Sequence, residues 1–284
     1  MQQIQEDIYI TNSFPGVTLG ALTFSDGTIL IDAPPQPEDG RTWQGMVRNL
    51  GGGVERLVVC LDAHFDRTIG LRMIDNRVLV HENTALNMDE RSAVFKVHNN
   101  ETGADWENCE GLGGIRWLRP HLTFTNKTNL HWGPYPITVE HHPGPTPGAA
   151  WLVIDEANVV FVGDAVCVDQ PPFLAQADIP LWLETLDILL SEKYKDFRII
   201  SGRGGLVTRK VIQNQKKYLK TVLKHLEKIR IKTTDPEETE TLVPQLLESL
   251  KFHPEFHFQY AQRLRYGLFH YFDKHYVPKQ EEEE

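Results

Sequence analysis

The sequence has little cysteine, no long apolar run and no excess of basic residues. Its three cysteines, Cys60, Cys109 and Cys167, show no CxxC or CxxxC spacing and leave one unpaired, which argues against a disulfide framework or a cysteine-rich zinc site. No stretch approaches the roughly 20 apolar residues of a membrane span. The opening residues, MQQIQEDIYI, lack the basic start and apolar core of a signal peptide. We therefore expect free thiols and a cytoplasmic protein with no membrane partner.

Acidic residues outnumber basic ones by 39 to 29, which gives a formal charge of -10 and a pI near 5.6. This balance disfavours general attraction to nucleic acid, so we interpret the lysine-rich face between Leu206 and Arg230 as solvated rather than as a nucleic-acid stripe. Apolar residues make up 40% and charged residues 24% of the chain, proportions typical of a globular protein. The terminal EEEE predicts a solvated acidic tail.

The first third of the chain alternates β-rich runs with turn residues. DIYITN, GVTLGALTF and TILIDAP predict antiparallel strands, with a hairpin turn at residues 25–27. Apolar residues then recur at helical spacing from Trp43 to Leu50, before a GGG stop. The next run, ERLVVCL, is apolar on both faces and predicts a central strand. The polar, glycine-rich stretch from Asn99 to Gly114 predicts a surface excursion.

A second β-rich half begins near Leu122 and contains two strong strands joined by a hairpin turn at DEAN, residues 155–158. Helical patterns follow: a long amphipathic one from Leu206 to Arg230, and two more, of which the last is rich in aromatic residues from Phe256 to Tyr276. Two β-rich halves, each followed by helices, predict a two-sheet sandwich with helices outside.

Three loops follow strong apolar strands and carry ionisable residues where the strand ends. Such strand ends gather functional sites, because strands fix the backbone while loops supply side chains. In the first loop, Asp62 and His64 are two apart and point the same way along an extended chain, with Asp66 and Arg67 where a helix could begin. This is a spacing that metal ligands use. The loops are LDAHFDR at 61–67, VGDAV around Asp164 and ISGRGG around Arg203.

In this order the segments resemble the metallo-β-lactamase superfamily over roughly residues 7 to 225. LVVCLDAHFDRTIG is similar to its T-H-x-H-x-D-H-x-G-G loop, HHPGPTPGAAWLVI to its P-G-H-T-P-G-S segment, VVFVGDAV to its F-x-G-D strand, IISGRGG to its P-G-H-G loop and TILIDAP to its early strand. The resemblance implies an α/β (α+β) fold, a four-layer αββα sandwich of two mixed β-sheets flanked by helices. We expect this domain over 1–230, a C-terminal helical extension packed on it over 231–276, and the acidic tail over 277–284.

The resemblance also implies a centre in which seven side chains hold two metal ions, usually zinc. Three residues fit position by position: His64 matches a histidine ligand, Asp66 the aspartate of the loop and Asp164 the bridging aspartate. Four positions depart from the pattern, because histidines are replaced by Asp62, Arg67, Pro145 and Arg203. Arginine has no lone pair to give a cation, and proline has no side-chain donor. A two-zinc centre is therefore not expected, and Asp62, His64 and Asp164 hold either one divalent ion (zinc, manganese or iron) or none.

Charge counting points to a cluster that neutralises itself. Asp62, Asp66 and Asp164 contribute three negative charges, and Arg67 and Arg203 contribute two positive charges, which leaves -1 before His64 titrates. Guanidinium–carboxylate bonds in such a network can hold the loops in place of metal ions.

Three functional interpretations stay open at this point. A single-metal hydrolase of an ester, thioester or lactone would bind its ion through Asp62, His64 and Asp164, with Asp66 and His64 as catalytic groups and Arg67 or Arg203 on the oxyanion. A non-catalytic binding module would hold a small carboxylate or phosphate with Arg67 and Arg203. A scaffold would form homo-oligomers through its aromatic C-terminal helices. Because four ligand positions are changed, the sequence favours a protein that does not carry out two-zinc hydrolysis. Its Asp/Arg cluster would replace the metal ions, and its partner would be a small molecule.

Other polar candidates are given structural roles. His141 and His142 precede the Pro-Gly-Pro loop, and we expect one to pack under that loop and the other to meet solvent. His81 is expected at a strand end without a special role, and Asp32 is expected to accept loop hydrogen bonds. The aromatic stripe from Phe256 to Tyr276 is expected to pack on the sandwich core rather than to line a pocket.

Overall fold

Two β-sheets pack face to face in the computed structural model, which describes residues 1–74, 76–92, 94–95 and 101–278. The first sheet runs in chain order: β1 (Gln2–Gln5), β2 (Ile8–Phe14), β3 (Val17–Thr23), β4 (Thr28–Ile31), β5 (Arg56–Val59), β6 (Arg77–His81) and β7 (Leu122–Phe124). The second sheet contains β8 (Lys127–Leu130), β9 (Ile137–His141), β10 (Ala150–Ile154), β11 (Val159–Phe161), β12 (Arg198–Ser201) and β13 (Gly205–Val207).

Both sheets are mixed, as expected. In the first sheet β1 to β4 pair antiparallel, as the predicted meander requires, and β4 to β7 pair parallel, which places β5 inside the sheet. In the second sheet the order is β13-β12-β11-β10-β9-β8, and β11 with β12 forms the parallel pair. The β10–β11 hairpin turns at 155–158, the predicted position, where Asn158 takes a left-handed conformation.

Helices cover the outer face of each sheet. The α-helices are α1 (Pro37–Arg48), α2 (Phe65–Thr68), α3 (Leu71–Ile74), α4 (Glu82–Asp89), α5 (Ile179–Leu189), α6 (Arg209–Arg230), α7 (Val243–Glu248) and α8 (His257–Tyr276). Short 3-10 turns lie at Asp105–Asn108, Asp155–Ala157, Gly163–Ala165, Glu192–Tyr194, Pro236–Leu242 and Pro254–Phe256.

Alternate side chains of a strand pack in different hydrophobic cores, because successive residues point to opposite faces of the sheet. In β10, Leu152 and Ile154 enter the core between the two sheets, whereas Trp151 and Val153 pack under the helices of the second sheet. In β4, Ile29 and Ile31 enter the inter-sheet core and Leu30 packs under α1, α3 and α4. The result is the four-layer αββα order of helix, sheet, sheet and helix.

The C-terminal helices share one hydrophobic core with α5 and α6. Leu246 of α7 and the α8 residues Leu264, Tyr271 and Phe272 are buried in the cluster that contains Trp182 of α5. Much of the aromatic stripe of α8 therefore packs on the sandwich, although Phe258 at its start is 67% exposed.

Some boundaries differ from the sequence-based expectation. The long helix begins at Arg209 rather than at Leu206, because residues 205–207 pair with β12 as an additional strand. The predicted surface excursion at 99–114 is in part buried, since Trp106 is only 5% exposed; residues 99 and 100 lie outside the described residues, as do 279–284 of the predicted acidic tail. Among the described helices, none combines the length and the apolar character needed to cross a membrane.

Candidate functional site

Four strand ends bring the predicted site residues together at one edge of the sandwich. The neighbours β4 and β5 are parallel, as are β11 and β12, so within each pair the following loops leave the sheet at the same edge. The short helix α2 begins directly after the loop that follows β5. Asp32 follows β4, Asp62 and His64 follow β5, Asp66 and Arg67 lie in α2, Asp164 follows β11 and Arg203 follows β12.

Arg67 lies at the centre of this site, and its side chain is completely buried. Its Nη1 donates to Asp32 Oδ2 over 2.5 Å, and its Nη2 donates to Asp164 Oδ1. Its Nε lies 3.1 Å from Asp62 Oδ2, an ion pair without hydrogen-bond alignment, so neither atom has a hydrogen-bond partner among the described residues. Glycine at 202 makes room for the guanidinium group, because a Cβ there would lie 2.5 Å from Nη2.

Arg203 lies beside Arg67 and is also buried. Its Nε donates to Asp164 Oδ2 over 2.9 Å, its Nη2 to Asp66 Oδ2 over 2.7 Å, and its Nη1 to the carbonyl oxygen of Gly16 over 2.8 Å. Asp164 therefore accepts from both guanidinium groups, one through each carboxylate oxygen. Four loops, those after β4, β5, β11 and β12, and the β2–β3 turn are joined through these two arginines.

His64 is the most accessible member of the cluster, with 13% of its side chain exposed. Its Nδ1 lies 3.1 Å from Asp62 Oδ1 and 2.9 Å from Asp164 Oδ2. Its backbone N–H donates to Asp62 Oδ1 over 2.8 Å, which fixes the loop. Asp62, His64 and Asp164 thus bring one potential metal-ligand atom each to within 4.8 Å of one another.

Burial and charge compete in setting the protonation states. Burial by itself raises the pKa of Asp62, but the charge of Arg67 and the contacts with His64 outweigh it and hold that pKa well below its usual range. Burial by itself lowers the pKa of Arg203, but nearby negative charge, that of Asp66 first, outweighs it and raises the pKa. Both groups are therefore charged at neutral pH.

Asp32 plays a larger part than the sequence predicted. It accepts the expected hydrogen bond, from the Leu61 amide over 2.9 Å, but it also forms an ion pair with Arg67. Burial raises its pKa, and the charge of Arg67 opposes that rise. The sequence-based charge count of -1 for this cluster did not include Asp32. With Asp32 ionised and His64 neutral, four carboxylates face two guanidinium groups, and the net charge of the cluster is -2.

A family model described as the metallo-beta-lactamase superfamily matches residues 63–202, the stretch that carries the first loop, the Asp164 loop and the end of β12. This part of the chain belongs to the metallo-β-lactamase superfamily. A search of curated proteins found no match.

Solved structures with this fold resemble the chain at low sequence identity. A metallo-beta-lactamase family protein from Thermus thermophilus has 18% identity and a TM-score of 0.63, with 93% of this chain and 94% of that one covered. A metallo-beta-lactamase from Pontibacter korlensis has 17% identity and a TM-score of 0.58, covering 77% and 97%. The sec-alkylsulfatase Pisa1 from Pseudomonas sp. has 14% identity and a TM-score of 0.68; the match covers 96% of this chain and 49% of that one. These likenesses show the fold.

The C-terminal helix contributes to the site of this metallo-β-lactamase-fold chain. Arg263 of α8 is buried and lies 3.2 Å from Asp105 Oδ2, while Arg203 lies 3.6 Å from the same oxygen. Both guanidinium carbons also contact the ring of Phe173, at 4.1 Å from its centroid for Arg263 and 4.4 Å for Arg203. Sequence reasoning missed this group, although Arg263 stands on the apolar face of α8, three residues after the buried Tyr260.

An aromatic cluster covers the first metallo-β-lactamase-like loop. Phe65 and Phe95 contact each other, and each contacts both Trp106 and Trp117, with ring centroids 5.2 to 6.0 Å apart. Arg91 lies over Phe65 and Trp117, at 4.4 Å and 4.6 Å, and burial lowers its pKa to about 10. The cluster keeps water away from α2 and from its two charged residues.

The other predicted histidines make local contacts. His81 is buried at the start of α4, where its Nδ1 accepts from the Asn83 amide and its ring stacks on His141 at 3.7 Å. His142 stacks on Trp151, and its Nε2 lies 3.3 Å from Glu140. These contacts hold the start of α4 and the end of β9 in place, which is a structural role.

Proposed function

We propose that this chain is a binding protein of the metallo-β-lactamase fold in which Arg67 and Arg203 replace the metal ions, and that it does not carry out two-zinc hydrolysis. One observation supports the proposal above all others. The two guanidinium groups lie buried between the loops that resemble the metal-binding loops of the superfamily. Their nitrogens face the carboxylates of Asp32, Asp62, Asp66 and Asp164.

The donor set does not fit two metal ions. Arg67 and Arg203 stand where the resemblance requires histidine ligands, and a guanidinium group carries positive charge and no available lone pair. Both oxygens of Asp164, the residue that matches the bridging ligand, already accept from these arginines. A cation placed there would displace a guanidinium group and meet its charge.

The existing contacts of the two arginines also limit which groups of the cluster a ligand could contact. An anion held directly by Arg67 and Arg203 would have to displace a carboxylate or a carbonyl oxygen, because each of their nitrogens already faces one. His64 is the accessible group of the cluster, and Phe173 lies 5.1 Å from its ring. A ligand in this cleft is therefore expected to contact the imidazole and the phenyl ring first.

A second candidate is a single-metal hydrolase, favoured by one specific observation. Asp62, His64 and Asp164 form a three-ligand group, and Asp62 Oδ2 is buried without a hydrogen bond among the described residues. These residues would hold the ion, which would supply an activated water for ester, thioester or lactone hydrolysis. Asp66 would position that water, although its oxygens already accept from Arg203 and from the Trp106 amide.

Elemental analysis separates the two candidates. Protein purified without a histidine tag is measured before and after loading with zinc, manganese and iron, beside His64→Ala and a control, His131→Ala, whose side chain is exposed. Less than about a tenth of an equivalent under every loading supports metal replacement. One equivalent that persists in His131→Ala and is lost in His64→Ala contradicts it and supports the single-metal hydrolase.

A further inference from the structure

A cavity lies beside the loop that follows β11, since Cys167 of that loop is among its lining residues. It is distinct from the salt-bridge cluster, the largely buried group formed by Asp32, Asp62, His64, Asp66, Arg67, Asp164 and Arg203. The volume of the cavity is about 400 Å³, within the range of small-molecule sites. Gln215 of α6 lines this cavity and holds the neighbouring loop: its Oε1 accepts from the Cys167 amide and its Nε2 donates to the Ala165 carbonyl, both over 2.7 Å. No member of the salt-bridge cluster is among its lining residues within the described part of the chain.

The lining combines positive charge with apolar surface. Lys217 of α6 and Lys251, which follows α7, are exposed at the cavity, and neither has a carboxylate within 4 Å among the described residues. Asp169 is the acidic residue of the lining, so the charged groups sum to +1 in a chain of formal charge -10. Between them lie the apolar side chains of Pro172, Val211 and Leu250.

The apolar surface continues beyond this cavity. A neighbouring cavity of about 540 Å³ shares Asp169 and Lys251 and is walled by Phe252, Phe256 and Tyr260. Because they share these two residues, the two cavities adjoin and are together called the groove: Lys217 lines the first cavity, the aromatic rings line the second, and Lys251 lines both. An elongated ligand with a charged head would match this order.

Tyr218 adds an unpartnered polar group to the wall. Its side chain is 7% exposed, and its hydroxyl has no hydrogen-bond partner among the described residues. Burial raises the pKa of Tyr218, so the hydroxyl keeps its proton at neutral pH. A buried hydroxyl without a partner is costly, and an oxygen of a bound ligand would supply the missing acceptor.

We propose that this groove binds a small carboxylic acid with an apolar body. Lys217 and Lys251 hold the carboxylate, whose single charge matches the +1 of the lining, and the chain of the ligand lies over Pro172, Val211 and Leu250 toward the aromatic rings. This inference is independent of whether the salt-bridge cluster holds a metal, because the two sites share no lining residue.

Calorimetric titration with octanoate tests the proposal, with acetate as the head alone and 1-octanol as the uncharged body. We expect octanoate to bind at least about tenfold more tightly than either. The double variant Lys217→Gln/Lys251→Gln should weaken octanoate binding roughly tenfold, since each exposed charge contributes up to about a factor of five. Tyr218→Phe should weaken it about fivefold without lowering the melting temperature.

The matched control is Lys224→Gln/Lys228→Gln, which removes two exposed charges from α6, the helix of Lys217, outside the groove. Its octanoate affinity should change less than about twofold. Octanoate that fails to bind the wild-type protein at millimolar concentration, or that binds both double variants equally, overturns the proposal. The metal content of the protein plays no part in either result, so this test fails or succeeds separately from that of the proposed function.

Discussion

Replacing Arg67 by methionine is the sharpest perturbation of the salt-bridge cluster. Methionine keeps much of the volume of the side chain but removes a charge that contacts Asp32, Asp62 and Asp164. Breaking a buried ion pair by removing one partner costs about 3–5 kcal/mol, because the remaining charges are left buried and uncompensated. Against a typical total stability of about 5–15 kcal/mol, Arg67→Met should fold but unfold much more easily.

The assay is equilibrium unfolding in urea at pH 7, followed by tryptophan fluorescence and by circular dichroism. At a slope of about 3 kcal/mol per molar, the expected loss lowers the midpoint by roughly 1–2 M. The control is Arg265→Met, whose ion pair with Glu240 has side chains 44% and 61% exposed and should contribute at most about 1 kcal/mol.

A pH series separates the loss of charge from the loss of packing. The carboxylates left by Arg67→Met can take up protons as the pH falls, so the difference between wild type and variant should shrink from pH 7 to pH 5. A variant that unfolds at the same urea concentration as Arg265→Met would refute the view that this cluster holds the loops together. A pH-independent difference would attribute the loss to packing.

Three further predictions follow from the same contacts. Gly202→Ala places a Cβ 2.5 Å from Arg67 Nη2 and should cost about 1–3 kcal/mol in urea unfolding, whereas Gly45→Ala, where a Cβ meets open space, should not destabilise. Because the folded-state pKa of Asp62 is depressed, its contribution to stability is present above its unfolded value near 3.9 and should be lost progressively as the pH falls below about 4, which acid titration by circular dichroism would measure. Arg67→His/Arg203→His restores two ligand-type side chains and should retain zinc in elemental analysis; an unchanged metal content would refute the assignment of the guanidinium groups to the metal positions.

The strands and helices were largely predictable because their signals are local. The alternation in TILIDAP and in the two strands around DEAN matches a period of two, and the spacing from Trp43 to Leu50 matches a helix, so burial of one face suffices to fix each element. The short strand at 205–207 was missed, since three residues are too few to show a period and its pairing with β12 depends on the tertiary fold.

The ion partners were less predictable, because they come from distant parts of the chain. Asp32 directly follows β4 and was predicted only to accept loop hydrogen bonds. In the structure it forms an ion pair with Arg67, which lies 35 residues further along the chain. Asp105 and Arg263 are 158 residues apart, and no local pattern connects them. The detectable signal was a charged residue on the buried face of an aromatic helix, where a cation requires a partner.

Asp164 makes the two arginine positions depend on each other. Each of its oxygens accepts from one guanidinium group. Losing Arg67 removes the donor to Oδ1, and losing Arg203 leaves Oδ2 with His64 Nδ1 at 2.9 Å, so in either variant the carboxylate keeps only one of its two guanidinium partners. The effects of Arg67→Met and Arg203→Met should therefore not add, because both remove partners of one carboxylate. Such coupling is the property expected of a cluster in which two cations share a bridging aspartate, and independent surface ion pairs would not produce it.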